Sequence, residues 1–315
     1  MLFLSRNNVR ELIFTNSNRR YELPYHVFSC SDLRKLTLGN CIFMPPLKFE
    51  GFLNLENLRL TNIDFRANSC GALVNLPRLR WLSLVKCRNV FNFNIKARNL
   101  CVLLVTACVD AMLLRLMDSP CLNVVYIYFW EPIEDCVQLE GMNLIKMLSI
   151  LPELQLLCID GHFLKVPKWL PVAINSLKYL RLLNCQLSDL DQLHGALCLL
   201  RNSPNLERLC MMDKNVKPQV MDYDVGPALD HLESLHCLDH TLNQLQTLEI
   251  RNIEGSRLQL LFIKLLLAHS PSLDKLIIRS SGTSDAHQRR DVAKDIMLFP
   301  RASPKAEMIY LNPEP

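Results

Sequence analysis

The stretch LRKLTLGNC, residues 33–41, decides the fold because its spacing returns along the whole chain. It has leucine at its first, fourth and sixth positions and cysteine at its ninth. Strong copies of the same spacing begin at Leu55, Leu79, Leu177 and Leu245. Weaker copies, with conservative apolar exchanges, begin at Val9, Leu100, Leu122, Leu154, Leu206 and Leu273.

This repeat predicts an α/β leucine-rich-repeat solenoid, a curved horseshoe with a parallel sheet on its concave face and helices and loops outside. Successive copies start about 21 to 39 residues apart, and the shorter steps are typical of such repeats. The fourth and sixth positions alternate with outward neighbours, as in a short strand with one buried face. The ninth position, where these repeats carry Asn or Cys, predicts buried reduced thiols at Cys41, Cys87, Cys108 and Cys185.

The spacers between the strands predict outer helices over residues 143–151, 189–202 and 257–269, each followed by a proline. The step from Leu206 to Leu245 is too long for one repeat and predicts an inserted loop at about 214–240. A final helix over 285–298 and a strand over 307–311 are placed to cap the last repeat. We therefore predict a repeat region over 1–240 and a region over 241–315 that continues and caps it.

Composition limits the classes of protein. Half of the 315 residues are hydrophobic, 21% are charged, and the formal net charge of +4 is too small for a dedicated nucleic-acid binder. The longest apolar runs are shorter than the roughly 20 residues of a membrane span, and the N-terminal one is shorter than a signal-peptide core. The thirteen cysteines form no Cys-x-x-Cys pair. These features predict a soluble protein with no nucleic-acid or membrane partner.

Motifs of catalysis and metal binding are absent from the sequence or incomplete. It lacks a Gly-x-Ser-x-Gly elbow, a glycine-rich phosphate loop and a His-Glu-x-x-His pair, so we expect no enzyme and no cofactor. His231, His236, Cys237 and His240 form one suggestive cluster, which is either an incomplete metal site or a polar helix beside the insertion. We expect no metal there, and a solvated helix face at the pair Arg289-Arg290.

The C-terminal blocks resemble the FBD domain of plant F-box proteins. They are LQTLEI at 245–250, Gly255, LAHSPSL at 267–273 and FPRASPKA at 299–306. The repeats upstream resemble the leucine-rich region of the same F-box/FBD/LRR-repeat family. The resemblance implies the target-binding part of a Skp-cullin-F-box ubiquitin ligase receptor, acting in the cytoplasm or nucleus. Family members begin with an F-box that docks the Skp adaptor, whereas this chain begins in the repeats, so we expect Skp binding only if an F-box is restored.

The outward positions of the strands are the candidate partner-binding surface. Charged and polar residues occupy both ends of the repeat array, including Lys35 and Arg59 near the N-terminus and Arg208 and Arg279 near the C-terminus. Apolar and aromatic residues lie between them, which is the composition of a recognition hot spot. The predicted site residues are Trp81, Val102, Leu104, Tyr126, Tyr128, Leu156, Tyr179 and Leu183.

Three functions fit these observations. The first is a monomeric interaction scaffold that recognises a target protein for a ubiquitin ligase. The second is a free-standing repeat protein without an F-box that competes with full-length relatives for their targets. The third is an intracellular small-molecule sensor whose aromatic centre holds a ligand, which would require a compact pocket.

Overall fold

The computed structural model describes residues 8–17, 21–46, 48–66, 74–90, 93–108, 119–129, 148, 150–164, 173–213, 226, 228, 232 and 241–313. The chain divides into two compact units, Met1–Leu154 and Gln155–Pro315, and each is described by itself. Among the described residues, no helix is long and apolar enough to cross a membrane.

The first unit is built from parallel strands. They are β1 (Glu11–Thr15), β2 (Tyr21–Glu22), β3 (Lys35–Gly39), β4 (Cys41–Ile42), β5 (Asn57–Thr61), β6 (Val74–Asn75), β7 (Trp81–Val85), β8 (Ile95–Lys96), β9 (Val102–Thr106) and β10 (Val124–Tyr128). The longer strands form one sheet in the order β1-β3-β5-β7-β9-β10, while β2 pairs with β4 and β6 pairs with β8. A short 3-10 helix occupies Tyr25–Ser29.

The leucine pattern sets the register of this sheet. Leu36 on β3 lies opposite Leu58 on β5, which lies opposite Leu82 on β7. All three side chains are at most 1% exposed, as are Leu103 and Val125 at the same position on β9 and β10. Each repeat thus adds one layer to a continuous apolar core, and the predicted solenoid is confirmed.

In the described part of residues 28–93, the outer layer of the first unit consists of loops, short strands and the 3-10 helix, and its aromatic side chains pack on one another. Ring-centroid distances between neighbours run from 4.6 Å for Phe65 and Phe93 to 6.2 Å for Phe28 and Phe52. Edge-to-face and offset contacts of this kind add to the hydrophobic stabilisation of the loops. The cluster consists of Phe28, Phe43, Phe49, Phe52, Phe65 and Phe93.

The ninth-position cysteines tie these loops to the strands. The Cys87 thiol donates to the Leu60 carbonyl, and the Cys87 backbone N–H donates to Cys108 Sγ at 3.3 Å. Cys41, Cys87, Cys108 and Cys185 are at most 2% exposed, so their predicted burial is confirmed. The residue just before this position has a positive φ in several repeats, at Asn40, Asn62, Lys86, Ala107 and Asn184. Asparagine suits this backbone conformation because it tolerates the left-handed region better than most residues do.

The second unit combines parallel strands with α-helices. Its strands pair in chain order and are β11 (Leu156–Asp160), β12 (Tyr179–Cys185), β13 (Arg208–Asp213), β14 (Thr247–Ile253), β15 (Lys275–Ser280) and β16 (Glu307–Leu311). The helices whose bounds the structure describes are α1 (Leu190–Arg201), α2 (Arg257–Ala268) and α3 (Ala286–Met297). A 3-10 helix occupies Gly161–Leu164.

Each α-helix begins at a residue that caps it. The Asp189 carboxylate accepts from two backbone N–H groups of α1, and Ser256 forms a capping box with Gln259 at the start of α2. Asp285 caps α3 in the same way. These three helices and the strand β16 confirm the sequence predictions. The helix predicted over 143–151 lies outside the described residues, apart from positions 148, 150 and 151.

The predicted insertion at 214–240 separates two strands that pair directly. Leu209 on β13 lies opposite Leu248 on β14, so the chain resumes the next repeat after the insertion. The insertion itself lies outside the described residues apart from positions 226, 228 and 232, and the predicted domain boundary at residue 240 stays a prediction.

The C-terminal segment adds the last layer of the second unit. Strand β16 pairs with β15, and α3 buries Val292 and Ile296. Gly255 has a φ of +86°, and a Cβ there would lie 2.1 Å from Val292 Cγ2. Glycine is needed at this position because a side chain would strain the backbone and collide with α3.

Candidate functional site

The side of the first-unit sheet opposite the buried leucines is called its open face, and its last three strands carry an apolar patch. Trp81 lies opposite Val102, and Leu104 lies opposite Tyr126. All members of this set are partly exposed. The first-unit patch consists of Trp81, Val85, Val102, Leu104, Val124, Tyr126 and Tyr128.

Strand geometry brings these side chains together. Alternate residues of a strand point to the same face, and neighbouring strands lie about 4.8 Å apart. Three strands therefore place the whole patch within about 10 Å across the sheet. The register confirms that the weaker repeats, which begin at Leu100 and Leu122, follow the same alternation as the strong ones.

Trp81 lies at the border between the patch and the charged strands beside it. The Arg59 guanidinium lies 5.7 Å from the centroid of the indole ring, within the range of a cation–π contact. The indole Nε1 is buried and has no hydrogen-bond partner among the residues that the structure describes. Since Nε1–H can only donate, it is an unsatisfied polar group, and an acceptor on a partner would reach it only after a shift of the indole ring.

The strands on the other side of Trp81 are mainly polar on this face, although Ile13 on β1 is 68% exposed. Lys35 pairs with Glu11 at 3.6 Å, and Arg34 pairs with Glu56 at 3.5 Å, all four side chains being well exposed. Exposed pairs of this kind contribute little stability and remain available to solvent and partners. The predicted arrangement, an apolar centre beside a charged flank, is present within the first unit.

Of the predicted site residues in the second unit, two are accessible and one is not. Leu156 and Tyr179 lie opposite each other on β11 and β12 and are partly exposed. Leu183 is only 6% exposed, so the expectation that it lies on an accessible face was wrong. Asp160, which lies opposite Leu183 on β11 in a regular pairing, is also fully buried, so the outward positions at this end of the two strands are covered.

The open face of the second unit, the side of its sheet opposite the buried leucines, carries charged residues together with apolar ones such as Ile277 and Ile309. Arg251 Nε lies 2.7 Å from Glu249 Oε1, and Lys275 Nζ lies 3.8 Å from Glu307 Oε2. Arg181, Arg208 and Arg279 lie on the same face. The charged residues predicted near the C-terminus thus lie on this face, but the sequence pattern did not show which cations are paired.

One buried carboxylate was missed by the sequence analysis. Asp160, 0% exposed, pairs with His162 Nδ1 at 2.5 Å and accepts from Asn184 Nδ2 at 2.8 Å. The sequence Asp160-Gly161-His162 directly after a strand is the available signal, since such residues favour turns with local hydrogen bonds. The carboxylate is occupied in holding the turn.

Metal binding and thiol chemistry receive no support from the described residues. No group of His, Cys, Asp or Glu in the described part of the chain could hold a metal ion. The cluster His231, His236, Cys237 and His240 lies outside the described residues. Burial raises the pKa of Cys41 to about 11, which keeps its thiol protonated and weakly nucleophilic at neutral pH. On α3, Arg290 is exposed, as expected of a solvated helix face, whereas Arg289 is half-buried and its Nε donates to the Asp285 carbonyl.

Comparison with known proteins identifies the family. The model of the leucine-rich repeats of FBD-associated F-box protein At5g56370 matches residues 2–211. F-box/FBD/LRR-repeat protein At1g13570 of Arabidopsis thaliana is 30% identical over 319 aligned positions, which cover 99% of this chain and 75% of that protein. F-box/FBD/LRR-repeat protein At3g14710 of the same plant is 26% identical over 151 positions, 48% of this chain and 30% of that protein. The chain belongs to the F-box/FBD/LRR-repeat family of plant proteins.

Proposed function

We propose that the chain binds a target protein through the first-unit patch, as the substrate-recognition part of a Skp-cullin-F-box ubiquitin ligase receptor. Family membership supports a protein-interaction role in F-box-type complexes, and such proteins are typically not enzymes. The proposal places the protein in the cytoplasm or nucleus as a monomer and requires no cofactor, nucleic acid or membrane. Contact with the Skp adaptor would require an F-box, and we assign no residue of this chain to it.

The observation that carries the proposal is the continuity of the patch across β7, β9 and β10. Large aromatic side chains that are partly exposed beside one another, with a charged flank, are the usual centre of a protein interface. The Trp81 Nε1–H adds a specific requirement because it lacks an acceptor among the described residues. A partner that presents an apolar side chain beside a carbonyl or carboxylate oxygen would match both features.

A protein partner fits this surface better than a small ligand does. Small-molecule sites usually enclose most of the surface of their ligand. One face of a sheet contacts a ligand from a single side, and the patch members are spread along three strands. The sensor hypothesis therefore has no specific observation in its favour.

An affinity purification with matched variants tests the proposal. The tagged chain and its Tyr126→Ala and Tyr25→Ala variants would be incubated with plant extract, and the retained proteins quantified by mass spectrometry. Tyr25 is a suitable control because it is a tyrosine, 64% exposed, on the 3-10 helix away from the sheet. We expect a partner that Tyr126→Ala loses and Tyr25→Ala retains. Partners lost with Tyr25→Ala and kept with Tyr126→Ala would overturn the assignment of the surface.

A substitution at Trp81 tests the hydrogen-bond requirement with the partner so found. Trp81→Phe keeps an aromatic ring and removes the Nε1–H donor. We expect it to weaken binding by about 1 kcal/mol, near fivefold in Kd, with unfolding unchanged, because one hydrogen bond contributes about that much. An unchanged Kd would show that the partner does not use this donor.

A further inference from the structure

The open face of the second unit carries a cation whose charge the described residues do not balance. Arg181 lies in the middle of β12 and is partly buried. Its Nε is buried and has no hydrogen-bond partner in the part of the chain that the structure describes. A buried charged donor left unpaired is costly, so arginines in such positions normally have a carboxylate beside them.

The neighbours of Arg181 on the adjacent strands are thiols. Cys158 on β11 and Cys210 on β13 lie opposite it, and both are at most 2% exposed. Burial raises the pKa of Cys158 to about 12 and also raises the pKa of Cys210, although the nearby guanidinium lowers both. The two thiols therefore remain neutral at physiological pH and do not compensate the arginine.

The acids closest to Arg181 in the sheet register are already engaged. Glu249 lies on β14 beyond Cys210 and pairs with Arg251 at 2.7 Å. Asp160, at the end of β11, is held by His162 and Asn184. No side-chain ion pair joins either carboxylate to Arg181 among the described residues.

A second arginine lies one strand away. Arg208 begins β13, opposite Tyr179, and is exposed. Its position is diagonal to Arg181 across neighbouring strands, a separation that long side chains can span. The neighbouring Glu207 is paired with Lys178 at 2.8 Å. The two arginines thus form a positive site at which the described residues supply no counter-charge.

We propose that Arg181 and Arg208 together bind an oxyanion, a carboxylate or phosphate group, which a partner protein presents to the open face of the second unit. Planar guanidinium groups suit such ligands because two parallel N–H donors match two oxygens. The site is separate from the first-unit patch and gives the partner a second required feature, an acidic or phosphorylated side chain. It rests on the second unit alone, so it can hold or fail independently of the target-binding proposal.

The competing explanation is that Arg181 only covers the sheet. Long arginine stems often lie on apolar surface with the charged head in water, and here the stem would cover the two thiols. That role predicts no preference for oxyanions. Arg181→Gln, which keeps most of the stem, would then leave the effect of each anion on the Tm unchanged.

Thermal unfolding of the full chain in matched salts distinguishes the two explanations. The parent, Arg181→Gln and Arg208→Gln would be compared in sodium phosphate, sodium succinate and sodium chloride of equal ionic strength. The control is Arg290→Gln, which removes an exposed arginine on α3. General salt effects on stability act on all variants alike, so only a difference between variants reports binding.

We expect phosphate, succinate or both to raise the Tm of the parent and of Arg290→Gln by about 3 °C more than chloride does. This magnitude applies when the Kd is about 1 mM and the anion concentration is about tenfold higher. Both site variants should lose this extra shift. A shift with both anions indicates a general carboxylate and phosphate site, and one with phosphate alone indicates a phosphorylated ligand. Equal shifts in all four proteins, or none in the parent, would overturn the proposal. If Arg181→Gln does not fold, Arg208→Gln decides the question, because its side chain is exposed.

Discussion

Over the described part of residues 28–93 in the first unit, the outer layer consists of loops and short elements held by six phenylalanines, whereas the described outer layer of the second unit includes the helices α1, α2 and α3. The strands of both units nevertheless follow the same leucine spacing and stack in register. The strand side of a repeat is thus set by local sequence, and several outer layers are compatible with it. The open faces differ as well, with apolar residues on β7, β9 and β10 of the first unit and arginines on the second.

The largest expected loss of stability comes from two substitutions that compare the packing of the loop layer with that of the helical layer. Phe65 lies in the loops of the first unit and Phe262 in α2, and both are 1% exposed. We expect Phe65→Ala and Phe262→Ala each to lower the free energy of unfolding by about 3 to 5 kcal/mol, because each leaves a large cavity. Chemical denaturation measures this, with Tyr25→Ala as the control. A much smaller loss at Phe65 would show that the loop layer adapts and that the two layers are not equivalent.

The next effect tests the shared strand pattern. Leu58→Ala in the first unit and Leu180→Ala in the second should each cost about 2 to 5 kcal/mol, since both side chains are at most 1% exposed. Arg59→Ala should cost well under about 1 kcal/mol, because the side chain is exposed and its contact with Trp81 is weak. Unfolding curves that showed equal losses for Leu58→Ala and Arg59→Ala would contradict the register.

A smaller effect should be confined to the helical outer layer. Asp189→Ala removes the side chain that accepts from the backbone N–H groups of Asp191 and Gln192, so it should cost about 1 kcal/mol. Hydrogen exchange should show faster opening of α1. Asp191→Ala is the matched control, as that carboxylate is exposed and does not cap the helix. Equal losses for the two substitutions would mean that the cap does not stabilise α1.

The smallest effect at neutral pH concerns the thiols. Cys121 is exposed, whereas Cys41 is buried with its pKa raised to about 11 from an ordinary value of 9.0. At pH 8 a thiol reagent should label Cys121 rapidly and Cys41 only after unfolding. Because the folded state favours the protonated thiol, this contribution to stability is complete below about pH 9 and is lost as the pH rises towards 11. Rapid labelling of Cys41 in the folded protein would contradict its position in the core.

The leucine spacing of the repeats was sufficient to predict the fold, but it predicted the candidate site only in part. Leucine spacing and proline positions predicted the strands, their register and three helices. The patch followed from the same alternation, since Trp81 and Tyr126 are outward neighbours of buried leucine-type positions. The prediction for Leu183 was wrong because the outward positions at this end of β11 and β12 are covered, as the burial of Asp160 opposite it also shows, and a repeat pattern does not reveal such cover.

Contacts between strands from different repeats could not be predicted in the same way. The missing counter-charge of Arg181 depends on which residues lie opposite it on β11 and β13, and the bonds of Asp160 depend on Asn184 in the next repeat. Such relations arise only when the repeats stack, whereas each repeat considered alone shows an ordinary alternation of polar and apolar residues.

The central claim is that a protein partner contacts the first-unit patch, and site-specific photo-crosslinking tests it most directly. A photoreactive amino acid would replace Leu104, within the patch, or Leu298, which is 82% exposed beyond the end of α3. Each protein would be irradiated with the partner retained in the affinity purification. We predict crosslinks from position 104 and none from position 298. Crosslinks from position 298 with none from position 104, in folded proteins that still bind, would contradict the claim.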